Sequence, residues 1–582
     1  MRLRLYLARM SRNLWLDGGW KKTFLALGLL CTFVCRPLQG ATVQTDTHRT
    51  TAESLLIEAL AGPRAPKAIL GLLLQKHFAV AQAELALLAR SEPNDAEVAN
   101  LQGVLFLLQG QLPQAQRSFE TVLSEHPGFY VATRNLGITL WHEHQTASAA
   151  RQLQMALREN PDDKLTNLYL GQVYFAGRDC TDSIKAFKAS GDFLLREPAP
   201  MFMNVVCDAQ AGDVNEAADL LIRMRGKPQL PPQDLFQFAL QSEQSGQYRL
   251  AFLALKLVPP GFPDTYTHAF DTALAAYQSK DYDATRTILG KLHSDGKATP
   301  ESLDLLGNTL EELGIIEKKP QMVKEAYDAY RQGIYKDPHY LPNFIDIARL
   351  ALKLGNYSLG ESLLTQGLAS NPDAYQLILE RGMAYAFDGH VALAARDFSN
   401  AKKLDPHGAL PYMAQGILDI QENRYDQAVA DLRDGIKQSS APNAWLYYLL
   451  ARALHDRGQV TPADDAEMRH ALQETIRLDS KFKEAYELAG LVWMKSGDYD
   501  QAERYLKTAR KLDPGNRHCV YELAMIKRLQ HQPDAAARYF KIFEHLEATN
   551  NQARMRKYFM KIMVNQQSGN TLQEAQNSDD GR

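Results

Sequence analysis

The side chains best placed to do chemistry in this sequence are a histidine pair, an aspartate pair and two cysteines. His142, Glu143 and His144 come nearest to a metal-binding string. A zinc peptidase needs histidines four apart on one helix face, with a glutamate beside the first. Thr146 occupies that slot, so the string reads as a solvated turn. Asp464 and Asp465 are adjacent in a turn, where carboxylates are solvated and a lone pair says nothing about catalysis. No glycine-rich phosphate loop, G-x-S-x-G elbow or zinc-type cysteine pair occurs in the sequence. Of the five cysteines, Cys31 and Cys35 fall in the apolar N-terminal stretch, leaving Cys180, Cys207 and Cys519. Cys180 and Cys207 fall at the same edge of neighbouring helical segments. A disulfide can form there, whereas both stay free buried thiols if their Cα atoms are more than about 7 Å apart; Cys519 has no evident partner. Neither a catalytic group nor a cofactor or metal site is expected, and the chain is read as no enzyme.

The elements that must position these side chains are helices. Residues 482–517, FKEAYELAGLVWMKSGDYDQAERYLKTARKLDPGNR, hold two amphipathic ones. Tyr486, Ala489, Gly490 and Trp493 share one face of the first, and Ala502, Leu506 and Ala509 share one face of the second. Gly497 and Asp498 mark the turn between them, and Asp513 and Pro514 the stop. Gly490 and Ala502 carry almost no side chain, so the two backbones can approach closely while Tyr486, Trp493 and Leu506 fill the flanks.

This unit repeats. Prolines that end second helices recur every 34 residues, at Pro93, Pro127 and Pro161 and again at Pro338, Pro372 and Pro406. Second-helix small residues keep the same step through Ala81, Ala115, Ala149, Ser183, Ala217 and Ala251. First-helix glycines follow at Gly103, Gly137 and Gly171, and at Gly382 and Gly416. The hairpin resembles the tetratricopeptide repeat, W-x2-L-G-x2-Y, then A-x3-F, then P, with Tyr486, Ala489, Trp493 and Leu506 in the large-residue slots. The resemblance covers residues 66–550. It implies an all-α fold, a right-handed superhelical αα-hairpin solenoid of about fourteen units.

The ends read differently. Arg2, Arg4, Arg9, Arg12, Lys21 and Lys22 precede an uncharged apolar run at 23–35. That run is short of the about 20 residues a spanning helix needs, and matches the apolar core of a secretory signal peptide. A leader over 1–40, cut before Ala41, is expected; an uncleaved anchor, which alone would involve a membrane, is the alternative. Either puts the repeats outside the cytoplasm, periplasmic or secreted. Residues 41–65, polar and then helical, are read as a linker, 66–264 and 265–550 as two runs of repeats with 198–264 degenerate, 551–565 as a basic amphipathic capping helix and 566–582 as a disordered tail. A bend is expected near 258–264, where prolines cluster. Two insertions, between Gly307 and Ala326 and between Ala428 and Met468, are expected to lie on surface turns. With a net charge of −3 and acids and bases interspersed, nucleic acid is not an expected partner.

By the resemblance, function lies on the inner wall formed by first helices, and the partner is a protein or peptide. The inward residues would be Val131, Arg134, Asn135, Ile138 and Trp141 in the third unit, and Leu168, Tyr169, Gln172 and Phe175 in the fourth. Among them Arg134, Asn135, Trp141, Tyr169, Gln172 and Phe175 are the candidate peptide-binding residues. Further on, Glu301, Asp304, Glu311, Glu312 and Asp346 would give an acidic wall suited to a basic partner. Some relatives clamp a peptide's carboxylates with lysines, asparagines and an arginine; only Asn135 fits, while Val104, Leu165 and Tyr169 do not. The expected role is a non-catalytic scaffold of the cell envelope. The alternative is an accessory subunit of polysaccharide synthesis or export, because that machinery also uses long repeat solenoids.

Overall fold

The computed structural model describes residues 47–226 and 230–547. The expected leader (1–40), capping helix (551–565) and tail (566–582) lie outside them. Every regular element among the described residues is helical. A lone helix, α1 (Thr47–Ala61), precedes α2 (Lys67–Leu74) and α3 (Phe78–Ser91), which form the first hairpin. Three regular hairpins follow: α4 (Ala96–Leu108) with α5 (Leu112–Glu125), α6 (Tyr130–His142) with α7 (Thr146–Glu159), and α8 (Lys164–Ala176) with α9 (Cys180–Ser190). After a 3-10 turn at Gly191–Arg196, α10 (Pro198–Ala211) and α11 (Val214–Arg223) begin the stretch with weaker consensus, which keeps its hairpins. The series continues to the helical residues 533–547, an αα-hairpin repeat solenoid as the 34-residue period predicts.

Each hairpin is built by the same local physics. First-helix glycines stand where the second helix thrusts in its large residue. A Cβ on Gly137 would lie 2.7 Å from Leu153 Cγ, and one on Gly490 2.4 Å from Leu506 Cγ. Those second-helix residues, with Phe119 and Phe187, are fully buried. The turn between the two helices needs one left-handed residue, and that demand repeats every 34 positions at Lys76, Gly110, His144, Arg178, Gly212, Gly246 and Lys280. His144 of the histidine string is thus a turn residue with φ 61°, and the described residues hold no group of His, Cys, Asp or Glu that could bind a metal. Side-chain caps start several helices: Asp95 accepts from the Glu97 and Val98 amides at 2.7 and 3.2 Å, and Asp163 from Thr166 at 2.7 Å.

The chain divides into two compact units, up to Ala329 and from Tyr330; the expected bend at 258–264 lies inside the first. In that unit one continuous apolar core runs from Ile57 to Ala276. In the second, the hairpins carry smaller clusters around Phe398 and around Leu506. The insertions are not surface turns, contrary to expectation. Residues added after Gly307 lengthen the helices on both sides, to Pro300–Glu317 and Pro320–Lys336, joined through Lys318 at φ 55°. Those before Met468 start the helix Pro462–Leu478 early, with Thr461 and Asp464 forming a reciprocal capping box. Continuing a helix satisfies the added backbone groups at once, which a loop cannot do. Asp464 is therefore a cap, held near pKa 2 mainly by the Thr461 hydroxyl and amide and then by Arg457.

Candidate binding wall and the helix seated on it

Successive first helices touch one another: α4 with α6, α6 with α8, and α8 with α10. Together they form a wall along the first unit, and α1 lies on its beginning, against α2, α4 and α6. Ile57, Leu60 and Ala61 are buried there, while Glu53 and Glu58 face water. The segment read as a linker is thus a docked helix. It ends because Gly62 takes φ 92° and is followed by Pro63.

A helix leaves its last four carbonyls without intrahelical partners. Here the wall supplies most of them. Arg134 Nη2 donates to Ala59 O, Asn135 Nδ2 to Leu60 O at 2.8 Å, and Asn100 Nδ2 to Ala61 O at 3.4 Å. Gly62 N closes the set on Glu58 O at 3.1 Å. The donors brace one another. Arg134 Nε donates to Asn135 Oδ1 at 3.2 Å, Asn135 Nδ2 also donates to Asn100 Oδ1 at 3.0 Å, and Arg134 Nη1 pairs with Asp163 at 2.9 Å. Arg134 is 3 % exposed and Asn135 fully buried. The guanidinium thus sits at the negative end of the α1 dipole.

The structure therefore gathers two of the six candidate residues, Arg134 and Asn135, around the chain's own helix. The other four lie further along. Trp141 and Tyr169 pack against the apolar core. The Tyr169 ring meets His142 edge-on at 5.8 Å, and burial, with Glu197 adding to it, pushes its hydroxyl pKa well above the usual range. Gln172 reaches back to Leu168 O at 3.5 Å, and Phe175 is half-buried. The main omission from the sequence reading is Asn100. Its spacing of 35 from Asn135 was the available signal, and it falls one position out of the repeat.

The acidic set is largely engaged. Asp304 and Glu311 are buried, and Asn308 donates to Asp304. In the second unit Asp346 shares Arg349 with Glu380, which is also hydrogen-bonded to it. Glu301 stays exposed and Glu312 half-buried. More unusual carboxylates lie on the first helices Pro232–Gln244 and Thr265–Gln278, where burial lifts Glu243 to a pKa of about 7 and Asp271 to about 6. At the hairpin edge Cys180 and Cys207 are joined in a disulfide across a Cα separation of 5.0 Å, and Cys519 is a buried free thiol. Among the described residues no helix is long and apolar enough to cross a membrane.

Matches to family models agree with the repeat pattern. Tetratricopeptide repeat family models match residues 106–176, 345–409 and 483–516. No curated protein matches the sequence. Among solved structures the chain is similar to yeast Tom70, at 16 % identity over 74 % of this chain and 97 % of that one, with a TM-score of 0.36. It is also similar to the Cut9-Hcn1 hetero-tetramer of the APC/C, at 14 % identity over 78 % and 94 %, with a TM-score of 0.34. A third likeness is to PilF of Pseudomonas aeruginosa, at 16 % identity over 39 % and 99 %, with a TM-score of 0.32. Three segments thus match tetratricopeptide repeat models, and further helical hairpins flank them.

Proposed function

We propose that the chain is a non-catalytic scaffold of the cell envelope that binds a protein or peptide on the wall of first helices. One observation carries the reading: this wall already holds a helix, burying that helix's Ile57 and Leu60 and bonding its terminal carbonyls with Arg134, Asn135 and Asn100. An amphipathic helix laid by its apolar face into a groove is a recurring mode of peptide recognition. Beyond α1 the wall offers Phe175 and Gln172, an aromatic anchor beside an amide, as contact points.

Two features support export. The N-terminal basic cluster and thirteen-residue apolar run have the form of a secretory signal. The Cys180–Cys207 disulfide suits an oxidising compartment, since the cytoplasm keeps thiols reduced. N-terminal sequencing of the native protein from an envelope fraction should start at Ala41; recovery of the uncut chain in the cytoplasm would refute the location. For binding, the chain from Ala41 to Arg582 is used as bait beside a variant carrying Gln172→Glu and Phe175→Ala, with circular dichroism to check the fold. A protein retained by the parent and lost by the variant supports the reading; retention of glycan alone overturns it.

A further inference from the structure

We propose that the outer face of α3 is a self-association surface, on which a second copy of this chain packs its own α3 antiparallel about a two-fold axis. The inference stands apart from the scaffold reading, which concerns the first helices. On α3, the second helix of its hairpin, Ala79, Val80, Ala83, Ala86 and Leu87 are all exposed, Val80 by 51 % and Leu87 by 58 %. Their spacings of three, four and seven put them in one apolar stripe along the helix. The hairpins that follow fill the same slots mostly with polar residues. Steps of 34 from Ala83 reach Arg117, Arg151, Lys185 and Asp219, and steps of 34 from Ala86 reach Glu120, Gln154, Lys188 and Ile222. Exposed apolar residues on those helices, such as Met155 and Ile222, stand singly. A continuous apolar face where neighbouring second helices are polar is the mark of a contact surface.

The composition of the face selects what covers it. A helix lying in a membrane interface relies on bulky apolar side chains, whereas three of these five residues are alanines, which let another helix axis approach to about 8 Å. The pattern is also its own complement. A two-fold axis beside Ala83 exchanges Val80 with Leu87 and Ala79 with Ala86, because both pairs are centred next to that residue. The large residues of the two copies then meet on one flank, the alanines meet on the other, and Ala83 faces Ala83 between them. Gln82 and Glu84 fall outside the stripe and stay in water. At each end Arg90 reaches Lys76 of the second copy, whose charge is already matched by Glu53 at 2.8 Å; that exposed carboxylate can serve both cations. One helix face is smaller than the about 800 Å² that each partner gives to a stable complex, so half-dimerisation on the order of 10–100 μM is expected.

The test is sedimentation velocity across that concentration range on the chain from Ala41 to Arg582, beside an Ala83→Arg variant. The substitution copies what Arg117 and Arg151 already do on α5 and α7, so the hairpin should fold, which circular dichroism checks. The parent is expected to pass from monomer to dimer, and Ala83→Arg to weaken that association at least tenfold. Ala83→Cys then reports the position of the axis. Cys180 and Cys207 are already bonded and Cys519 is buried, so the introduced thiol is the accessible one. Mild oxidation should give a covalent dimer at least tenfold faster than for Thr121→Cys on the exposed side of α5. A parent that stays monomeric overturns the proposal, as does a dimer that survives Ala83→Arg or an Ala83→Cys chain that cross-links no faster than the control. Phosphatidylglycerol vesicles bound by the parent and not by Ala83→Arg would assign the face to lipid and overturn it as well. Gln172 and Phe175 keep their own test under every outcome.

Discussion

Asp208 on α10 should weaken the hairpin it belongs to, and replacing it should strengthen the protein at neutral pH. In the regular hairpins the slot three residues after the first-helix glycine holds Phe106, Leu140 or Tyr174. In the α10 hairpin Val205 takes the glycine position and Asp208 the large-residue slot. It is fully buried, and neither carboxylate oxygen has a hydrogen-bond partner. Burial is the main cause that lifts its pKa from 3.8 to about 6, with Lys188 opposing and Asp213 and Glu216 assisting. Because the folded-state pKa is the higher one, the folded chain holds this proton over a range where the unfolded chain has lost it. Stability from this group is complete below pH 4 and is lost as pH rises through 6. At about 1.4 kcal/mol per pH unit the loss is roughly 3 kcal/mol. Asp208→Asn removes the titration but keeps an unpartnered polar group, which still costs about 1 kcal/mol or more. The protonated acid bears the same cost, so a net gain of about 3 kcal/mol at pH 8, and none at pH 4, is expected. The assay is hydrogen exchange followed by mass spectrometry on peptides from α10 and α11, corrected for intrinsic rates at pH 5, 6.5 and 8. The parent's protection should fall with pH and the variant's should stay level. Parallel slopes, or a variant less protected than the parent at pH 8, would refute the reasoning.

Three further outcomes follow from the packing. Gly490→Ala places a methyl 2.4 Å from Leu506 Cγ and should destabilise by about 1–3 kcal/mol in denaturant titration, whereas Gly290→Ala, with nothing within 4 Å on its helix, should stabilise by about 0.5–1 kcal/mol; equal effects would dismiss the close-approach argument. Cys207→Ser opens a loop of 27 residues and should cost about 3 kcal/mol; the parent in reductant should match it, and a parent indifferent to reductant would speak against a structural disulfide. Glu380→Gln leaves Arg349, 19 % exposed, with Asp346 as an acidic partner and should lower the second unit's stability by about 2 kcal/mol, less than for a fully buried pair; high salt should not reproduce that loss, because so sheltered a pair is weakly screened.

The candidate site was half legible. Arg134 and Asn135 stand out in the sequence because they sit at inward slots of a first helix, and slots are assigned by counting from Gly137. What they bind could not be counted. Ala59 and Leu60 lie 75 positions earlier, in a stretch without the repeat pattern, and only docking brings them together. The acidic wall misleads for a related reason: Asp346 looks like part of a surface for a basic partner until Arg349 is seen between it and Glu380.

By itself the sequence determined the hairpins, their period and the positions of glycines against Leu153 and Leu506. These are decided by contacts within one hairpin or between neighbours, three to about 34 residues apart, and such short-range rules are written into residue spacing. Tertiary structure alone decided three other matters: that α1 occupies the wall, that Cys180 and Cys207 come within bonding distance, and that the insertions continue as helix. Each depends on where one element's end meets another element's side. A backbone carbonyl, a thiol or a helix terminus has no periodic signature, and its partner is whichever group the packed neighbours bring within reach.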